Sequence, residues 1–275
     1  MKENIIKPQM ILPDGHALNN YKKQFKLYDR FLPELVKFIN DGIIIDVGAN
    51  VGDTLYSIIY NCENEIYCFE PSDIFYSYLE KNVNELPIEL RNRVKIFNEF
   101  IGSNDLKGEL LHDNNGTAKI INNINTKNIF NQIDNLELNK TISLLKIDTD
   151  GYDYDVINSS LKIIKRDEPI LFWENFVENE VQFENYNKMY DKLQLLGYDS
   201  FYVFDNFGNI MLRDVNVSTI LSMNLYLKSL NLYNCSRTIY YFDILCTTNR
   251  NKESIMSAIK HYSENFIFND PENYK

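Results

Sequence analysis

The stretch IIIDVGANVGDT, residues 43–54, constrains the fold of this chain more than any other segment. Its apolar run, interrupted only by Asp46, has the pattern of a short strand that is buried on both faces. Gly48 and Gly52 follow, and residues 53–61 then place apolar side chains at helical spacing. A strand that turns at glycine into a helix is typical of the first unit of a parallel α/β sheet, and it predicts a small ligand at the turn.

The rest of the chain repeats this alternation of strand and helix. The apolar runs predict seven main strands, at 43–47, 65–70, 93–102, 142–148, 169–175, 201–214 (a strand, a turn at 206–208 and a return strand) and 239–247. Helical spacing is found between most of them, at 53–61, 73–86, 128–136, 153–165, 181–197 and 218–230, and a last helix closes the chain at 251–264. The pattern predicts an α/β fold with a doubly wound, seven-stranded, mostly parallel sheet and right-handed crossovers.

Two segments fall outside the alternation. Residues 103–125 contain Asn115-Gly116 between two mixed segments, which predicts a small hairpin or flap inserted into the domain. Residues 1–42 predict an N-terminal helical extension, irregular at first and helical over 26–40. With no repeat and no linker, residues 43–275 are expected to form a single domain.

Composition excludes several classes of function. The net charge of −11 and the absence of any basic run argue against nucleic acid as the main partner. The four cysteines form no C-x-x-C pair and there are only three histidines, so no metal site of the usual zinc spacing is expected. No window approaches the roughly 18 to 20 apolar residues of a membrane span. The sequence therefore predicts a cytoplasmic protein with no membrane span, and it leaves the oligomeric state open.

The glycine turn lacks the features of a phosphate site. A dinucleotide fingerprint requires G-x-G-x-x-G, but Asn50 and Asp53 stand where its middle and last glycines would be. An acid also stands at the start of the following helix, where a phosphate would bind. A P-loop needs Gly-Lys-Ser/Thr, and none is present. The turn therefore favours a compact ligand without phosphate.

S-adenosylmethionine is a compact ligand of this kind, because it carries no phosphate. Asp46 can accept from its amino group, directly or through water, and Gly48 lets the backbone pass close to its methionine part. Glu70 lies at the end of the second strand, where a carboxylate can accept from two ribose hydroxyls. Both acids are predicted at the carboxyl ends of neighbouring strands, which is where open α/β sheets bind ligands.

Three motifs in order resemble a known family. DVGANVGDT, CFEPS and LLKIDTDGYDYDVI are similar in order and spacing to the FkbM-type class I methyltransferases, from about residue 43 to residue 175 and weakly beyond. The resemblance implies a Rossmann-like class I fold with S-adenosylmethionine as cofactor. It implies a cofactor site made of the turn, the residues after the second strand and one residue of the third strand: Asp46, Gly48, Ala49, Asn50, Gly52, Thr54, Glu70, Pro71, Ser72 and Ile101.

The sequence departs from the family pattern in two places. The third family motif reads roughly Lys-Ile-Asp-x-Glu-Gly-x-Glu, and here Asp150 and Asp153 replace the two glutamates. The charge is kept and the reach is shorter, and both acids could also serve the dipole of the helix that follows. Phe100 and Ile101 stand near the expected adenine position, where family members often have a small residue.

The catalytic prediction is O-methylation. Methyl transfer needs the acceptor held in line, and an alcohol acceptor must lose its proton to a base. We predict that Asp148, Asp150 and Glu174 are the catalytic residues, with no metal. The resemblance implies a small-molecule substrate, a hydroxyl of a saccharide or related polar metabolite. His112, in the predicted flap, is a further candidate for facing that substrate.

Two alternatives accompany this prediction. Asp148-Thr149-Asp150 is a D-x-D at a strand end, which glycosyltransferases use to hold a divalent metal and a nucleotide diphosphate. That interpretation leaves the first two motifs unexplained. A second alternative is a binding module on a methyltransferase fold that does not turn over. Asp46 could also serve only as a cap of the following helix.

Overall fold

The computed structural model describes residues 8–103, 108–112, 118–122, 130–232 and 239–267. Its strands are β1 Ile43–Val47, β2 Glu65–Phe69, β3 Val94–Phe97, β4 Phe100–Ile101, β5 Gly108–His112, β6 Ala118–Asn122, β7 Phe130–Asn131, β8 Ile142–Ile147, β9 Ile170–Asn175, β10 Ser200–Asp205, β11 Ile210–Val215 and β12 Phe242–Thr247. Its α-helices are α1 Leu18–Gln24, α2 Phe31–Leu35, α3 Asp53–Ile58, α4 Asp73–Glu85, α5 Ile88–Arg91, α6 Asp153–Asn158, α7 Leu161–Asp167, α8 Glu180–Leu195, α9 Val217–Leu232 and α10 Lys252–Tyr262. Short 3₁₀ turns lie at Val36–Phe38, Ile133–Asn135 and Asn249–Asn251, and a π-helical turn at Ser263–Ile267.

The main sheet has the strand order β11-β10-β12-β9-β8-β1-β2-β3. The strands from β9 to β3 pair in parallel, whereas β12 runs antiparallel to both β9 and β10. Chain order reverses at β1, because β2 and β8 lie on its two sides. The predicted doubly wound, mostly parallel α/β fold is therefore confirmed, and β1 lies at the switch point where such sheets bind ligands.

The predicted number of seven strands was wrong, because the main sheet has eight. The carboxylate of Asp205 accepts from the backbone N–H groups of Phe207 and Asn209, and this turn reverses the chain. β11 then pairs antiparallel with β10 as an edge strand. Its side chains are half-buried or exposed, so its sequence carries no apolar run like those of the inner strands.

Two predicted elements take different forms. The strand expected at 93–102 divides into β3 and β4, and β4 pairs with β7 in a separate two-stranded sheet. The segment expected as a helix at 128–136 holds β7 and a 3₁₀ turn instead. Within that turn, the Asp134 carboxylate accepts from the backbone N–H groups of Lys162 and Ile163 and so caps α7. The predicted hairpin is formed by β5 and β6, and its Asn115-Gly116 turn lies outside the described residues.

The N-terminal segment packs onto the sheet. It carries α1 and α2 rather than one helix over 26–40, and Asp29 separates them with a left-handed φ of 56°. Phe31 stacks near Phe204 of β10, with ring centroids 4.4 Å apart, and meets Tyr262 of α10 edge-on. The division of the chain at residue 42 stays a prediction.

The sheet is buried on both faces. In β1, Ile43, Ile45 and Val47 face one apolar cluster and Ile44 faces the other. This accounts for the continuous apolar run in the sequence, since a strand between two layers of helices has no solvent face.

Gly48→Ala tests the close packing at the end of β1. Gly48 has a φ of +77°, and a Cβ there would lie 1.8 Å from the backbone oxygen of Asp148. We expect the variant to lose more than about 2 kcal/mol of unfolding free energy in denaturant titration, because strain and overlap add. Gly197→Ala is the matched control, since Gly197 has a φ of +87° and a Cβ added there would meet no atom within 4 Å. Gly197→Ala should lose only the free energy that the left-handed backbone costs a residue with a side chain, about 1 kcal/mol. Equal losses of unfolding free energy in the two variants would contradict the close contact between Gly48 and Asp148.

Candidate active site

A cavity of about 820 Å³ opens at the carboxyl ends of the parallel strands. Its floor is formed by the residues that follow β1, β2 and β8 and by the end of β9. Its walls come from the N-terminal segment, the hairpin and the turn between β10 and β11. Its lining includes Tyr28, Asp29, Gly48, Asn50, Thr54, Glu70, Pro71, Ile101, Lys146, Asp148, Asp150, Glu174, Tyr241 and Asp243.

The glycine turn is held between two neighbouring strands. The backbone N–H groups of Gly48 and Ala49 both donate to the Phe69 carbonyl, at 2.9 and 3.0 Å. On the other side, Gly48 lies against the backbone of Asp148. Asn50 takes a left-handed φ of 48° in the same turn. Backbone contacts alone therefore hold the turn in this conformation.

Glu70 joins the turn to the start of α4. Its buried carboxylate accepts from the backbone N–H of Asn50 through Oε2 and from that of Ser72 through Oε1, each at 2.8 Å. Burial raises the pKa of Glu70 to about 7, although the two amides and Lys146 act in the opposite direction. Because each carboxylate oxygen has a second lone pair, the group can still accept from a pair of hydroxyls in the cavity.

The predicted cofactor residues divide into two groups. Six of them line the cavity: Gly48, Asn50, Thr54, Glu70, Pro71 and Ile101. The other four, which are not among the lining residues, are Asp46, Ala49, Gly52 and Ser72.

Three residues of the second group support the first. Ala49 is buried beneath the turn. Gly52 precedes α3 with a φ of 88°, where a Cβ would meet Leu79 at 2.8 Å. Ser72 Oγ accepts from the Phe75 N–H as the cap of α4 and lies 2.7 Å from His112 Nε2. His112, which was predicted in the flap, thus contacts the cap of α4, and it is not among the residues that line the cavity.

Asp46 lies beneath a lysine. Its side chain is fully buried, and its Oδ1 is 2.9 Å from Nζ of Lys146, which is itself almost fully buried. Burial raises the pKa of Asp46 in spite of this ion pair. Lys146 lines the cavity and Asp46 does not, so the expected contact of Asp46 with the amino group of the cofactor stays a prediction. Lys146 had no predicted role; its signal was a lysine inside the otherwise apolar strand LLKI.

Three carboxylates stand side by side across adjacent strands. Glu174 of β9 is the register partner of Asp243 of β12, and Asp148 directly follows β8, which pairs with β9. Burial raises the pKa of Glu174 well above its ordinary range, and the charge of Asp148 adds to the effect. Burial and the same Asp148 charge raise the pKa of Asp243. The cavity is therefore a crowded acidic environment, in which protons or cationic groups are stabilised.

Sequence reasoning missed Asp243 and Asp29. Asp29 lines the cavity from the N-terminal segment, and burial raises its pKa to about 7. An acid within the apolar run IYYFDILCT was a signal for Asp243. Asp29 had no such signal, because its position depends on how the N-terminal segment packs.

The TDG turn after β8 holds two further acids. Asp150 lines the cavity and has a left-handed φ of 51°. Asp153 is fully buried, and its Oδ2 accepts from Thr149 Oγ1 at 3.1 Å and from the Gly151 N–H at 3.3 Å. Burial raises the pKa of Asp153 to about 8. The structure thus brings Asp148, Asp150 and Glu174 together at the cavity, and Asp153 shapes the turn from behind.

The acids of the cavity do not form a metal site by themselves. Within the described ranges, no group of three or more His, Cys, Asp or Glu side chains has an arrangement that could hold a metal ion. Across the same residues, no helix has both the length and the apolar character needed to cross a membrane.

Comparison with models of known protein families shows the family of this chain. The model of the methyltransferase FkbM domain matches residues 46–200, which is more than half of the chain. The chain belongs to the FkbM methyltransferase family. It is a methyltransferase with S-adenosylmethionine as its cofactor, and this assignment replaces the glycosyltransferase interpretation of Asp148-Thr149-Asp150. No curated protein matches the sequence.

Several solved structures are similar to this FkbM domain protein. A SAM-dependent O-methyltransferase from Thermotoga maritima is 14% identical, with coverage of 88% of this chain and 68% of that one and a TM-score of 0.44. An O-methyltransferase from Bacillus cereus in complex with SAH is 11% identical, with coverage of 88% and 84% and a TM-score of 0.46. A methyltransferase FkbM from Methylobacillus flagellatus KT is 10% identical, with a TM-score of 0.41; 84% of this chain aligns to 58% of that one.

The residues at the turn fit the cofactor. Glu70 has two carboxylate oxygens, fixed by backbone amides, that could accept from a ribose diol, and Gly48 and Asn50 line the same cavity at the end of β1. Phe100 and Ile101 add apolar side chains to its lining. In this arrangement Glu70 would hold the ribose, and the glycine turn would hold the methionine part.

The pKa of Glu70 predicts a pH-dependent cofactor affinity. Ribose hydroxyls donate to the ionised carboxylate, whose population rises as pH passes through about 7. Calorimetric titration with S-adenosylhomocysteine should show affinity rising about tenfold between roughly pH 6 and pH 8.

Two variants check this assignment. Glu70→Gln should bind weakly with no such dependence, and Glu80→Gln, which changes an exposed acid of α4, should behave as the wild type does. A wild-type affinity that is constant over this pH range would count against Glu70 as the ribose acceptor.

Proposed function

We propose that this methyltransferase transfers the methyl group of S-adenosylmethionine to a hydroxyl of a saccharide or related polar metabolite, giving a methyl ether. The observation that carries the proposal is the pair Asp148 and Glu174 in the same cavity as the glycine turn and Glu70. An acceptor bound between the acid pair and the glycine turn would have a base on one side and the cofactor on the other.

S-adenosylmethionine supplies, when bound, an electrophilic methyl group with a neutral thioether as leaving group. The chain contributes position: Glu70 and the glycine turn fix one reactant, and the ends of β8 and β9 fix the other. Correct positioning alone can supply about 7–11 kcal/mol of the barrier reduction. A carbon–oxygen bond forms as the carbon–sulfur bond breaks, and the hydroxyl proton passes to a carboxylate.

Asp148 is the carboxylate proposed to accept that proton. Its side chain is half exposed, whereas burial raises the pKa of Glu174 well above the ordinary range and so favours its protonated form. A hydrogen bond between Glu174 and Asp148 contributes to that shift. Glu174 therefore acts as a donor that orients Asp148, and Asp148 presents its remaining lone pairs to the acceptor hydroxyl.

Aromatic and acidic side chains support a polar, uncharged or cationic acceptor. Tyr28 and Tyr241 line the cavity on the side of Asp148, and Phe25 stacks on Phe207 at its rim, with ring centroids 4.2 Å apart. Flat aromatic faces pack against the apolar faces of sugar rings, and the surrounding carboxylates disfavour phosphate-rich acceptors. The saccharide itself comes from the resemblance to the FkbM-type family, in which O-methylation is usual.

An acceptor screen tests the proposed reaction. The protein is incubated with S-adenosylmethionine carrying a deuterated methyl group and with a panel of free and nucleotide-activated sugars, and mass spectrometry follows the labelled product. We expect methyl transfer to at least one hydroxyl. Cofactor binding without transfer to any member of a broad panel would favour the non-catalytic binding module instead.

Asp148→Asn tests the proposed base. The amide cannot take the proton, so kcat should fall about 100-fold or more, with cofactor affinity retained. Asp191→Asn, at an exposed position of α8, is the matched control and should keep wild-type turnover. Wild-type kcat in Asp148→Asn would remove Asp148 from the reaction.

A further inference from the structure

Lys146 occupies an unusual position for a lysine. It lies in β8 at the centre of the main sheet, as the register partner of Asp46 in β1, and only 6% of its surface is exposed. Lysine is almost never buried to this degree unless it is paired, because a desolvated ammonium is costly. Its contacts therefore explain why it is there.

The ammonium of Lys146 has three oxygen neighbours. Nζ is 2.9 Å from Oδ1 of Asp46 and 3.5 Å from Oδ2 of Asp148, and it donates to the Gly48 carbonyl at 3.4 Å. An ammonium has three N–H donors, so this set matches its capacity. One of the three acceptors belongs to the glycine turn, one lies beneath it, and one is the carboxylate proposed as the base.

The charge on Lys146 is secured by its neighbours. Burial by itself lowers the pKa of the amine, but the carboxylates of Asp46 and Asp148 act more strongly in the other direction, and the net effect raises it. The ammonium is thus a permanent cation among acids. Among the ion pairs of the described residues, only those of Lys146 connect the end of β1 with the end of β8.

We propose that Lys146 is a positioning residue for methyl transfer, whose ammonium holds the Asp148 carboxylate at a fixed distance from the glycine turn that binds the cofactor. The inference rests on the proposed function, in which Asp148 takes the acceptor proton. Lys146 touches neither reactant in this role. It acts through Asp148, by selecting the orientation of its carboxylate.

The alternative role for Lys146 is structural, as the neutralising partner of buried Asp46. Removing Lys146 alone would leave that carboxylate uncompensated, which is destabilising by itself. The double variant Asp46→Asn/Lys146→Met separates the two roles, because it removes both buried charges and keeps the side-chain volumes similar. A purely structural role predicts that the double variant recovers the wild-type reaction.

The positioning role predicts a different result. In Asp46→Asn/Lys146→Met, kcat should remain roughly 10- to 100-fold below the wild type, because a carboxylate displaced by a fraction of an ångström loses in-line geometry. The Kd for S-adenosylhomocysteine, measured by calorimetry, should change by less than about threefold, because the glycine turn is anchored through the Phe69 carbonyl.

Chemical rescue provides a second test. In Lys146→Ala the deleted side chain leaves space for a small amine, so added ethylamine should restore part of kcat. Lys146→Met fills that space and should not respond. Lys228→Ala is the matched control, because Lys228 is mostly buried and pairs with Glu180 away from the cavity. It should keep wild-type kcat.

The outcomes separate the inference from the function beneath it. If Asp46→Asn/Lys146→Met shows wild-type kcat while Asp148→Asn is inactive, Lys146 is structural and the inference is wrong, with the proposed base intact. If Asp148→Asn is active, the proposed base itself is wrong, and the inference falls with it. Reduced kcat, unchanged Kd for S-adenosylhomocysteine and rescue by ethylamine would together support Lys146 as the positioning residue.

Discussion

The contact between Gly48 and the backbone of Asp148 is the constraint on which the rest of the site depends. It brings the ends of β1 and β8 together so closely that only a glycine fits. The same turn is tied to β2 through the Phe69 carbonyl. The switch point of the sheet is thus a fixed backbone frame, and Glu70 and Asp148 are mounted on opposite sides of it. Methyl transfer needs this kind of frame, because its catalysis depends mainly on the relative position of two reactants.

The second property of the site is its surplus of negative charge. Glu174 and Asp243 face each other across neighbouring strands, and Asp29 approaches from the N-terminal segment. Like charges in such register destabilise a sheet. Burial raises the pKa values of all three acids, and the charge of Asp148 adds to each of these shifts. Such perturbed groups concentrate at functional sites. A cofactor that carries a sulfonium is well matched to this environment, and Lys146 compensates the charge of Asp46 beneath it.

The sequence predicted what is local and missed what depends on register between distant segments. The strand, the glycine turn and Glu70 follow from short patterns whose physical reasons lie within a few residues. The fold class followed because alternating strands and helices permit few arrangements. The pairing of Asp46 with Lys146 could not be read in the same way, since the two are far apart in the chain and meet only through strand register. The same holds for Asp243, whose neighbours are set by an antiparallel strand, whereas the turn and return strand within 201–214 were predicted from the local pattern.

Calorimetric titration of the intact chain with S-adenosylmethionine tests the central claim most directly, because every role assigned to the strand ends presupposes that cofactor. We expect saturable binding of one molecule per chain, with displacement by S-adenosylhomocysteine. A folded protein that shows no binding at about 1 mM ligand, a free energy weaker than roughly −4 kcal/mol, would contradict it.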